Sequence, residues 1–136
     1  MDRMSNSDLL KRRGLVFGII LIIALIHIFK IGHYLPSELS RIYYSYFSDI
    51  LLPFGFYFLL CITQYQIPLL KRWQVKMLIS FLLPSFAETL QLFGIYALGS
   101  TFDPVDYVMY GIGSVTAAII ETIMFKRIFE FWSKGI

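Results

Sequence analysis

Five polar side chains stand out in a chain that is otherwise strongly apolar: Asp49, Glu88, Gln91, Asp103 and Asp106. Ionisable groups inside long apolar runs are costly in hydrocarbon and usually face a bundle interior or water. Four carboxyls and one amide, with no Lys or Arg beside them in the same runs to neutralise them, suit a cation, a proton, or the hydroxyls and amines of a head group. Glu88 and Gln91 are three residues apart and share a helix face, which Ser85 extends. Pro84 lies one turn before Glu88 and removes the hydrogen bond to the carbonyl of Ser80; Pro53 does the same to the carbonyl of Asp49. Each proline therefore frees a backbone acceptor in the helix that carries an acid. A purely structural alternative stays open: Glu88, protonated or bonded to Gln91 and a neighbouring helix, locks the bundle.

Asp103-Pro104 reads as an N-cap followed by proline at the first helical position. Asp106 falls at the third position, so the two form a capping-box-like pair. Asp106 also begins a stripe with Tyr110, Gly113 and Ala117 at helical spacing. Gly113 and Ala117 are a small-xxx-small pair that admits a close neighbour. Glu121 lies 15 residues beyond Asp106, about 22 Å along a helix, so it belongs to the other end and is expected to pair with a base there. His27 is close enough to the acids in the expected topology to join them, or else is interfacial. The single cysteine, Cys61, reads as apolar packing. No nucleophile motif, metal-ligand spacing or phosphate-cradling loop is present, so no catalytic residue, metal or cofactor is expected.

The elements that must position these groups follow from composition. The 136 residues are 57% hydrophobic and 15% charged, against about 45–50% and about 25% in soluble domains. Apolar runs at 14–29, 44–63, 75–98 and 105–125 are of spanning length or close to it, and only helices or closed barrels satisfy the backbone in hydrocarbon. The expected fold is an all-α integral membrane four-helix bundle: a polar segment 1–13, a four-helix domain 14–126 and a tail 127–136. Ten of the twelve Lys and Arg residues flank one side of these runs, leaving Lys30 and Arg41 on the other. The asymmetry predicts both termini in the cytoplasm and a multi-pass protein of the cell membrane. Trp73, Trp132 and Tyr34, Tyr43, Tyr44 and Tyr46 stand at span ends, as interfacial aromatics do. The net charge of +3 is explained by these clusters, and no patch fit for nucleic acid appears.

The strings Ser48-Asp49-Ile50-Leu51-Leu52, Glu88-Thr89-Leu90-Gln91 and Gly99-Ser100-Thr101-Phe102-Asp103-Pro104-Val105-Asp106, followed by Gly111 and Gly113, resemble the VanZ-like family of small bacterial membrane proteins. The resemblance covers about residues 40–122. Ser100 and Thr101 stand where an arginine is often seen, and Tyr110 where an asparagine is; the Phe-Asp-x-x-Asp-x-x-x-Tyr form is shared by an allied family. The resemblance implies a multi-helix membrane fold, a shared polar set of Asp49, Glu88, Gln91, Asp103 and Asp106, and a link to glycopeptide antibiotic resistance. The leading expectation is a non-enzymatic protein whose outer acidic pocket binds or shields an envelope ligand such as a lipid head group, a peptidoglycan-linked group or a glycopeptide. The alternatives are a proton- or cation-coupled transporter or channel subunit working as a homo-oligomer, and an intramembrane enzyme acting on a lipid carrier.

Overall fold

A computed structural model of the chain describes residues 4–29, 31–96 and 101–134. Arg3, Lys30 and the Gly99-Ser100 pair, used above for orientation and for the family resemblance, lie outside the described residues. Those residues are all-helical. Helix α1 is Asn6–Ile28, α2 is Ser37–Thr63, α3 is Trp73–Gln91, α4 is Pro104–Ile128 and the short α5 is Glu130–Ser133. Both α2 and α4 are long and apolar enough to cross a membrane, each with a mean hydropathy of 1.6 over its most apolar stretch.

The element boundaries differ from the sequence expectation for identifiable reasons. Within the polar start of the chain, Ser5 caps α1 by accepting the Asp8 amide at 3.1 Å, and the helix runs straight into the apolar stretch. Helix α3 stops at Gln91 rather than continuing to Leu98. Gly94 takes a left-handed φ of +79°, its amide bonds to the Gln91 carbonyl at 3.1 Å, and the Ile95 amide reaches back to the Leu90 carbonyl at 3.0 Å. That pair of bonds is a Schellman ending, which favours glycine at the left-handed position. At the other end of the chain, the described residues 127–134 carry helical structure of their own. Helix α4 runs to Ile128, and α5 turns back so that Trp132 is fully buried in the core beside Val16, Tyr57, Phe58, Cys61 and Ala117. Trp132 is thus a core residue and not an interfacial one, whereas Trp73 is 39% exposed.

The most extensive packing is between α2 and α4, then α3 with α4, with α1 lying along α2. The sequence of α4 explains why it is central. A Cβ at Gly113 would collide with the carbonyl oxygen of Ile50 and come within 2.7 Å of Pro53 Cγ, so only glycine lets α2 approach this closely. Helix α1 seats Ile20 and Ile23 against Gly55 of α2, where an added Cβ would meet both at 3.3 Å. Two stretches depart from regular α winding into wider π turns, Tyr43–Phe47 and Ile120–Phe125. The first ends two residues before Asp49 and the second contains Glu121, which fits the tendency of such turns to sit at functional positions.

Candidate functional site: an acidic end and an ion-pair end

The inward face of α3 carries Lys76, Ser80, Pro84, Ser85, Glu88 and Gln91. The inward face of α4 carries Tyr110, Gly113, Ser114, Ala117 and Ala118 and then Glu121. Each face has polar groups at its ends and small residues between. Because α3 and α4 run in opposite directions, Glu88 and Gln91 meet the start of α4, while Lys76 meets Glu121.

At the acidic end, Glu88 is 2% exposed and both of its oxygens are engaged. Oε1 accepts the Asp103 backbone amide at 2.9 Å. Oε2 accepts the Gln91 side-chain amide at 3.1 Å and the Tyr110 hydroxyl at 3.3 Å. The Asp103 carboxyl caps α4 in the expected way, accepting the Val105 amide at 2.9 Å. The expected reciprocal half of the capping box is displaced, however: the Asp103 amide goes to Glu88 from the neighbouring helix, not to Asp106. The Asp106 carboxyl is thereby released and lies beside the Asp49 carboxyl of α2. The structure thus brings Asp49, Glu88, Gln91, Asp103 and Asp106 together, with divided tasks: Asp103 as a cap and amide donor, Glu88 as the junction of three donors, Asp49 and Asp106 as a carboxyl pair.

The surrounding side chains complete the geometry. Thr89 donates to the Ser85 carbonyl at 2.8 Å, so its 2.7 Å contact with Tyr107 leaves Tyr107 as donor and ties α3 to α4. Ser85 donates to the Phe81 carbonyl at 2.7 Å and stays within its own helix. His27 of α1 sits at the rim. Its Nδ1 donates to the Ile23 carbonyl at 2.8 Å, which leaves Nε2 to accept the Ser48 hydroxyl at 3.0 Å. A hollow of about 320 Å³ opens between α1, α2 and α4, and His27, Ser48, Asp49 and Tyr110 are its polar lining. Gln91 is 6% exposed, and its Oε1 has no hydrogen-bond partner.

The other end has a set that the sequence reading only half anticipated. Glu121 pairs with Lys76 at 2.6 Å, both 1% exposed. Glu121 also accepts the Tyr57 hydroxyl and Trp132 Nε1 at 3.4 Å. Lys76 donates further to Gln64 at 3.0 Å and to the Cys61 sulfur at 3.4 Å. Arg12 is fully buried, stacks 4.2 Å from the Trp132 ring centre and donates to the Trp132 carbonyl, while its Nε and Nη1 have no partner. Burial lowers the pKa of this guanidinium from the ordinary arginine value. The base expected for Glu121 is Lys76, but Lys76 and Arg12 are not surface charges as their clusters suggested. Their helix register could have revealed this: Lys76 lies on the same stripe as Ser80, Pro84 and Glu88, and Arg12 lies one turn before buried Val16.

Among the described residues no group of three or more His, Cys, Asp or Glu side chains is placed to hold a metal ion. The chain matches no protein-family model, no curated protein and no solved structure.

Proposed function

We propose that this chain is an integral membrane protein of the VanZ-like kind, a four-helix bundle with both ends in the cytoplasm, whose acidic end lies near the outer surface and binds a polar or cationic envelope ligand. The observation that carries this reading is the open hollow lined by Asp49, His27, Ser48 and Tyr110, with Asp106 beside Asp49 and no Lys or Arg ion-paired to either acid among the described residues. Acids in a low-dielectric setting are retained at a cost, and a ligand cation repays it. Glu88, engaged by three donors, positions the pair instead of touching the ligand. The resemblance adds a bacterial envelope and a link to glycopeptide resistance as parts of the same proposal. Transport is the weaker reading, because between Asp106 and Glu121 the inward face of α4 offers Gly113, Ala117 and Ala118, and its two polar members, Tyr110 and Ser114, give their hydroxyls to Glu88 and to the Tyr110 carbonyl of the same helix.

Two experiments test the proposal. In a background with Cys61→Ser, single cysteines introduced at Ser37 and Ser133 report sidedness: a membrane-impermeant maleimide added to intact cells labels the first and not the second. Labelling in the reverse sense overturns the topology. In a bacterial host, Asp49→Asn and Asp106→Asn at matched protein level change susceptibility to glycopeptides and abolish the stabilisation of the purified protein by small primary amines. Unchanged susceptibility together with unchanged amine response would remove the binding function.

A further inference from the structure

We infer that the ligand of the acidic end is an amphiphile drawn from the bilayer: a lipid with a protonated amine as its head and a hydrocarbon tail. This rests on the binding reading above and names its ligand class. Two hollows adjoin on α2 and share Leu52. One is the polar hollow at Asp49, about 320 Å³. The other is a cleft of about 200 Å³ between α2 and α3, lined by Leu52, Pro53, Phe56, Leu83, Pro84 and Ala87. The cleft has no polar side chain, and its outer wall is open, with Leu52 43% and Leu83 51% exposed. The two helix prolines line it together, and Pro53 is fixed from behind by the close approach at Gly113.

The chemistry of the two hollows selects a single occupant. The carboxyl pair repels a phosphate or carboxylate head, and the polar hollow offers His27, Ser48 and Tyr110 but no Lys or Arg to receive one. An ammonium has three N–H donors and no acceptor. In the polar hollow those donors meet the Asp49 carboxyl, with the Asp106 carboxyl next to it. A soluble cation would use the acids and leave the apolar cleft empty. A lipid amine fills both hollows, with the first carbons passing Leu52 and the rest of the chain between the two prolines, where burial of apolar surface adds to the affinity.

The test uses the full-length protein in phosphatidylcholine nanodiscs and hexadecylamine carrying a diazirine near its tail end. The same chain with a phosphate head is the second arm, and hexylamine, read by its effect on melting temperature, is the third. The amine probe is expected to label the segments around Leu52–Phe56 and Leu83–Ala87, and the phosphate probe to leave them unlabelled. Asp49→Asn lowers labelling about tenfold. Leu52→Trp, which obstructs the junction, lowers it to a similar extent yet keeps the hexylamine stabilisation. Melting of each variant near the wild-type temperature shows that it is folded. Hexylamine stabilisation without labelling of these segments, or labelling that ignores the head group, overturns the lipid inference and leaves the binding site standing. Absence of any amine effect overturns both.

Discussion

At one end of the bundle Glu121 meets Lys76 at 2.6 Å, sealed to 1% exposure and wrapped by Tyr57, Trp132, Gln64 and Cys61; at the other Asp49 meets Asp106, like against like, beside a hollow. The same helices build both sites, so the difference lies in what each helix contributes. A base on α3 answers the acid of α4 at the first end, while every ionisable group at the second is an acid or a rim histidine. A buried charge with a complete set of partners holds elements together, and breaking the set is expensive. Two facing acids without a base support no such role, and such pairs accumulate where function requires them. The ion-pair end is therefore the clamp of the fold, and the acidic end is where the proposed ligand would bind.

The largest effect is expected from breaking the clamp. Glu121→Ala leaves Lys76 buried without its counter-ion, and unfolding in mild detergent should show a loss of about 3–5 kcal/mol. Replacing Lys76 and Glu121 together by Met and Leu should recover most of that loss, since both charges leave at once. A double variant as unstable as the single one would contradict the clamp. The interface shared by both ends comes next. Gly113→Ala places a methyl group against the Ile50 carbonyl and Pro53, and the cost read in the same unfolding assay should be about 1–3 kcal/mol. Asp103→Ala removes the cap of α4, for about 1 kcal/mol. The smallest effect sharpens the contrast most. Asp49→Asn removes one of two facing acids, and stability should stay level or rise by about 0.5–1 kcal/mol.

Much of the acidic end was legible in the sequence because acids are scarce in these apolar runs. Glu88 and Gln91 on one face, and Asp103-Pro104 as a helix start, follow from spacing alone. What spacing could not settle was the sharing of donors between helices. The Asp103 amide has two acids within reach of a reasonable geometry, Asp106 in its own helix and Glu88 across the interface. Tertiary packing gives it to Glu88, and so converts Asp106 from a cap into half of a carboxyl pair. Lys76 and Arg12 were obscured for a different reason. Each sits next to other bases, Lys71 and Arg72 or Lys11 and Arg13, and reads as part of a solvated cluster. Their burial depends on Glu121 and Trp132, which are 45 and 120 residues away along the chain. Helix ends were obscured where a glycine had two meanings: Gly94 would be tolerated inside a membrane helix, yet here it ends α3.

The most direct test of the division between the two ends is the melting temperature of the purified protein in nanodiscs, with and without hexylamine, for wild type, Asp49→Asn and Asp106→Asn. The account predicts that both variants melt at or above the wild-type temperature without amine and lose the amine-dependent rise that the wild type shows. Variants that melt well below wild type and still respond to amine would show that Asp49 and Asp106 hold the fold together rather than hold a ligand.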